Sequence, residues 1–168
     1  MFCALATAQA AITTGIVLVG KGTPTQPAVL PGSSKFFGAS FELFVTVAAT
    51  CVASAILGMV LSSIARSNEQ IMPLLVVSLM LQLVLAGGLV PVTGRIFLDQ
   101  LSWVMPSRWG YAASASTVNL RALLPGTLGP KDSHWLHTRD AWLLDMGMLG
   151  ALSGVYFALV WWRTRLKR

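Results

Sequence analysis

The run Ile71–Val92, IMPLLVVSLMLQLVLAGGLVPV, carries no charged side chain, and Ser78 and Gln82 are its only polar ones. A helix of that length rises about 33 Å at 1.5 Å per residue, enough to cross a bilayer core of about 30 Å. The preceding Arg66-Ser67-Asn68-Glu69-Gln70 is a compact polar stop. Three more runs of the same kind take up much of the chain. Met1–Gly20 and Leu43–Ala65 have no charge, and Ala141–Trp162 has one, Asp145. The reading is an all-α membrane protein with four transmembrane helices in a single domain. The spans are about 1–20, 40–65, 70–92 and 139–162.

Composition excludes a separate soluble domain. Only 11% of the 168 residues are charged, against about a quarter in soluble domains, and the spans with their loops use nearly all of the sequence. The net charge of +6 does not point to nucleic acid. Four of the twelve basic residues fall in the last six, Arg163, Arg165, Lys167 and Arg168, directly after Trp161-Trp162. A basic tail at the end of an apolar helix is a cytoplasmic anchor. Both ends then lie in the cytoplasm of a multi-pass protein of the cell (plasma) membrane, with Arg66 inside as well. Seven basic residues fall outside against five inside, but the inner ones are dense and abut helix ends. Met1 falls within an apolar span without a basic lead-in, which suggests a piece of something longer. Cys3 and Cys51 lie inside apolar spans and read as small buried residues.

Local signals refine the spans. Ser40 is placed to cap the second helix with Glu42 in its first turn, and Ser67 with Gln70 has capping-box spacing before the third. Pro73 predicts a kink or a delayed start, and Gly87-Gly88 with Pro91 predicts a bend or break. In the fourth span, Gly150 and Gly154 form a GxxxG that lets another helix come close, and the second offers Ala49/Ala53 and Ser54/Gly58 at the same spacing. Packing within the chain is the favoured use, a subunit interface the other.

The outer segment at about 95–124 is more than a loop. Arg95, Asp99 and Ser102 recur at i, i+4, i+7 in an otherwise apolar stretch, the pattern of a short amphipathic helix that lies on the membrane or dips into it. Pro106 is expected to end it, with a second helical piece over about Tyr111–Leu124. Trp103, Trp109 and Tyr111 suit the headgroup layer. Pro125–Pro130 is turn-rich, and Thr138 is placed to cap the last span.

Gly15–Gly22 nearly spells a phosphate-binding loop, but Gly22 replaces the hydroxyl that would hold magnesium and the intervening residues are apolar. No nucleotide-binding or catalytic motif is present, so ATP and magnesium belong to no site of this chain. Asp132, His134, His137 and Asp140 cluster before the last span; the polar-loop reading is favoured over a metal site, or over the metal-dependent membrane hydrolase it would imply. Gln82, near mid-span, must face other helices or a water-filled path, because burying an amide in hydrocarbon costs several kcal/mol. Asp145 reads as shallow enough to reach water or to pair with Arg139 or Lys131.

The order of these pieces resembles a known family. A span is followed by Arg66-Ser67-Asn68-Glu69-Gln70 and Pro73, a span ending Gly87-Gly88-Leu89-Val90-Pro91, an outer stretch with Trp103, Pro106, Arg108, Trp109, Gly110 and Tyr111, and a last span with a basic tail. This is similar to the C-terminal portion of an ABC-2-type transporter membrane domain, of the G-subfamily half-transporter kind, above all bacterial ones with forkhead-associated domains ahead of their ATPase. The resemblance implies helices three to six of a six-helix domain that works as a homodimer or half-transporter dimer in the lipid bilayer, driven by an ABC ATPase domain in cis or in trans. It implies that Ile71–Val92 lines the substrate path of an exporter, through Gln82, Leu85 and Leu89. Leu89 matches one leucine of an outer plug, and Gly88 departs from the other. Arg66, Asn68, Glu69 and Gln70 form the cytoplasmic start of that helix, and Trp103, Pro106, Arg108, Trp109 and Tyr111 belong to a re-entrant cap. The alternative is a free-standing four-span scaffold or interaction protein.

Overall fold

The computed structural model describes residues 2–21, 38–65, 67–88, 96–120 and 135–166. Among them are six helices and no strand: α1 (Phe2–Lys21), α2 (Gly38–Ile64), α3 (Asn68–Leu85), α4 (Ile96–Ser102), α5 (Pro106–Thr117) and α6 (Arg139–Leu166). Arg66, Leu89, Arg95, Lys131, Asp132 and His134 lie outside the described residues, as do Gly22, Pro91 and the turn at 125–130. The side chains of Cys3 and Asn68 do so too.

Two helices, Gly38–Ile64 and the stretch Arg139–Arg165, are long and apolar enough to cross a membrane, and two shorter apolar helices, Ala4–Gly20 and Glu69–Leu85, accompany them. In hydrocarbon the backbone must satisfy its own polar groups, which helices do internally. α2 is the central element, adjacent to α1, α3, α5 and α6. Its contact with α1 uses small residues: Ala6, Ala10 and Thr14, one per turn, are buried.

The ends of the helices correct several expectations. α2 begins at Gly38, so Ser40 sits inside its first turn, and Glu42 is buried at 2% exposure rather than standing at a solvated cap. Ser67 has the extended backbone of an N-cap (φ −137°, ψ 154°) but makes no side-chain cap bond, so the capping box does not form. Pro73 is accommodated within α3. α3 stops at Leu85, ahead of the expected end at 92, because Gly87 adopts φ +86°, the left-handed geometry that closes helices at glycine. Pro106 does not only end a helix. It starts α5, where the first helical position has no use for the missing N–H. α5 ends at Thr117, as Asn119 turns left-handed at φ 50°, and residues 121–124 of the expected piece lie outside the described residues.

Residues 15–21 are continuous helix, a backbone that offers no phosphate cradle. The Arg165 guanidinium lies 5.1 Å over the Trp161 ring at the far end of α6.

Candidate functional site

α5 is a short helix of mostly small residues, and nine of its twelve are buried. Such a helix is covered on all sides only when wedged among others. Trp109, 1% exposed, packs with Ala53 of α2 and Leu149 of α6, and Ala113 packs with Trp142. A Cβ placed on Gly110 would collide with Thr50 Oγ1 and lie 2.6 Å from Thr50 Cγ2, so glycine is what lets α5 touch α2. The order of contacts runs backwards along α2 and α6. Trp109 meets Ala53 and Leu149, Gly110 meets Thr50, and Ala113 meets Trp142. α5 is therefore antiparallel to both.

The polar residues of this interior are quietened locally. Thr46, Thr50, Ser114 and Thr117 each donate to a carbonyl four residues earlier, at 2.7–3.0 Å. They act as small packing residues whose hydroxyls need no outside partner. Asp145 is fully buried, which overturns the reading that it reaches water. It shares its helix face with Trp142, Leu149 and Tyr156, all buried.

The corner between α4 and α5 lies deep beside α6. Trp109 Nε1 donates to the Trp103 carbonyl at 2.9 Å, and their rings meet edge-on at 5.6 Å. The Tyr156 hydroxyl donates to the Val104 carbonyl. Leu149 lies about 15 Å and Tyr156 about 25 Å along α6 from Arg139, counted at 1.5 Å per residue. The corner of the hairpin therefore lies well along α6 from its first residue. Trp109 is thus a bundle-core residue and not a headgroup anchor, while Trp103 stays half-exposed. Tyr111 is part-buried and stacks edge-on with Trp135 at 5.8 Å.

Toward α3, the first turns of α5 present polar groups. The Ser107 hydroxyl donates at 2.8 Å to the Gln82 carbonyl, which also accepts the Ala86 N–H. Arg108, 3% exposed, places a guanidinium nitrogen 2.6 Å from where a Gly87 Cβ would be, and pairs with Asp99 of α4 at 3.9 Å. A Cβ at Gly88 would lie 2.8 Å from the Tyr111 ring. Ile71, Leu74, Ser78, Gln82 and Leu85 form the stripe of α3 turned toward its neighbours, with Leu85 fully buried. Met72, Val76, Leu79, Met80 and Leu83 are exposed.

Of the other residues singled out from sequence, Glu69 and Gln70 are exposed at the start of α3. His137 Nδ1 lies 2.7 Å from the Ser116 carbonyl, closing the segment before α6 onto the end of α5. Among the described residues no group of three potential metal ligands occurs. Gly150 and Gly154 are exposed, and an added Cβ at either meets nothing within 4 Å, so no described helix uses their groove. Ala53 is instead fully buried. Ser107 is a position that sequence reading did not single out, and Gly87 and Gly110 were named there for a bend and as part of a motif, not for close packing. The glycine inside an otherwise Ala/Ser-rich helix was the available signal for Gly110.

The profile of the ABC-2 type transporter family matches residues 2–118. The chain belongs to the ABC-2 type transporter family. It is the permease portion of an ABC transporter, a membrane domain built of apolar helices. It is 61% identical over 167 residues to the ABC transporter ATP-binding/permease protein Rv1747 of Mycobacterium tuberculosis. That alignment covers 99% of this chain and 19% of the relative, so the chain spans about a fifth of the relative's length. No solved structure matches it.

Proposed function

We propose that this ABC-2 domain forms the translocation pathway of an ATP-driven exporter, working as a dimer in the plasma membrane with its C-terminus in the cytoplasm. α1, α2, α3 and α6 supply the last four spans of a six-helix domain, and α4–α5 caps the outer end of α3. The observation that carries the reading is the family match together with 61% identity to a protein named for both ATP binding and permeation. By that analogy an ATPase domain, in the same polypeptide or a separate one, supplies ATP and magnesium chemistry and drives the helices. α3 lines the path through Gln82, Leu85 and Leu89. Its bare apolar side and the open groove at Gly150 and Gly154 supply surface for helices beyond those described here, from a second copy or from the rest of the domain.

Three measurements test this. Gln70→Cys and Gly88→Cys, both at exposed positions near opposite ends of α3, are expected to react with an impermeant maleimide from the cytoplasmic and outer faces respectively. The reverse sidedness would overturn the topology. The chain alone in vesicles should hydrolyse no ATP, and sustained turnover by it would defeat the division of labour. Gly150→Leu with Gly154→Leu should weaken assembly of the intact transporter, seen as loss of crosslinked dimer.

A further inference from the structure

We infer that the start of α5 is a latch that holds the outer end of α3, with Arg108 as its positioning residue. It rests on the pathway reading of α3. Three contacts join these elements over residues 82–88, the last turn of α3 and the turn after it: Ser107 to the Gln82 carbonyl at 2.8 Å, the Arg108 guanidinium against Gly87, and the Tyr111 ring against Gly88. Gly87 is required twice over, by φ +86° and by the guanidinium that fills the space of a side chain. Asp99, on the other arm of the hairpin, pairs with Arg108 at 3.9 Å and holds the guanidinium toward the α3 terminus. Both arms of the hairpin thus grip the end of one helix, and α3 is adjacent to α4 as well as α5.

The remainder of α5 is immobilised on α2 and α6 by Trp109, Gly110 and Ala113, so the hairpin is a fixed jaw and α3 the part it releases. Leu85 sits between the Gln82 and Gly87 contacts and is buried at 2%. Release of α3 uncovers Leu85 first. The latch therefore sets how readily the outer end of the pathway opens, without touching ATP.

The test uses the intact transporter in sealed vesicles, with Leu85→Cys labelled from the outer face by an impermeant maleimide. Ser107→Ala removes one contact to α3, and Asp99→Asn loosens the guanidinium that makes another. Either should speed labelling about threefold, the fold-change that one such contact in a membrane interior commands. Native Cys51, part-buried on α2 beside the anchored face, should label at an unchanged rate. An unchanged Leu85→Cys rate in both variants overturns the latch, and so does a parallel rise at Cys51, which would mean general loosening. As a second readout, Gly88→Cys paired with Tyr111→Cys should crosslink in nucleotide-free transporter and lose yield with ATP and vanadate. A yield unaffected by nucleotide, while Leu85→Cys labelling does respond to nucleotide, also overturns the latch. If nucleotide changes neither readout in any variant, the pathway reading fails instead.

Discussion

α5 meets its neighbours in two different ways. Against α2 and α6 it interdigitates: Trp109 among Ala53 and Leu149, Gly110 on Thr50, Ala113 on Trp142. Against α3 it makes point contacts through Ser107, Arg108 and Tyr111. Close-packed surfaces have no cheap alternative arrangement, because every ångström of separation forfeits dispersion across the whole contact. Polar contacts between membrane helices average about 0.6 kcal/mol each, so a few of them can be broken and remade. The hairpin belongs mechanically to α2 and α6, and α3 is the element attached lightly.

The largest effect should come from the packed side. Trp109→Ala removes the ring that fills the junction of three helices, a truncation that costs about 3–5 kcal/mol in close-packed interiors. Thermal unfolding of the intact transporter in detergent should show it as a large fall in Tm. A loss no greater than that of a latch variant would erase the distinction between the two sides.

Gly110→Val comes next, at about 1–3 kcal/mol for overpacking, since its first carbon already overlaps Thr50. The comparison sharpens in the double variant. Thr50→Ala removes the colliding Oγ1 and Cγ2, so it should recover part of the loss at Gly110→Ala. A strictly additive pair would show that the two residues do not meet. Gly87→Ala follows at about 1–2 kcal/mol, the cost of left-handed backbone for a side chain, with the displacement of Arg108 added to it. Its mark is local: α3 loosens, while the Cys51 environment on α2 is unchanged.

The helices were legible because charge-free runs of some twenty residues admit one solution in lipid. Their ends were not. Whether Gly87-Gly88 bends or ends a helix depends on φ at Gly87, which a dipeptide leaves open. Pro106 was read as a stop when it is a start, since proline suits the first turn of a helix as well as the residue after one. Trp109 was placed with the headgroups by residue type, although an indole N–H is as well satisfied by a carbonyl in the interior, here that of Trp103. Asp145 was read by its distance along the helix from the interface. Its burial is set instead by α5, which covers that face of α6 and which no periodicity in α6 reveals. The site depends on contacts between segments far apart in sequence, and local pattern carries little of that.

The smallest effect should be Ser107→Ala. The Gln82 carbonyl it leaves behind still accepts the Ala86 N–H at 3.1 Å, so no buried acceptor is orphaned. What is lost is one hydroxyl bond, worth about 0.6 kcal/mol in a membrane interior, or a Tm shift of about 1–2 °C for a domain of this size. The side chain shrinks by a single atom and leaves no cavity comparable to that of Trp109→Ala. Small cost to folding with a clear change in α3 exposure is what a light attachment requires. If Ser107→Ala instead lowers Tm as far as Gly110→Val does, α3 is bound as tightly as α2 and α6, and α5 has one kind of neighbour rather than two.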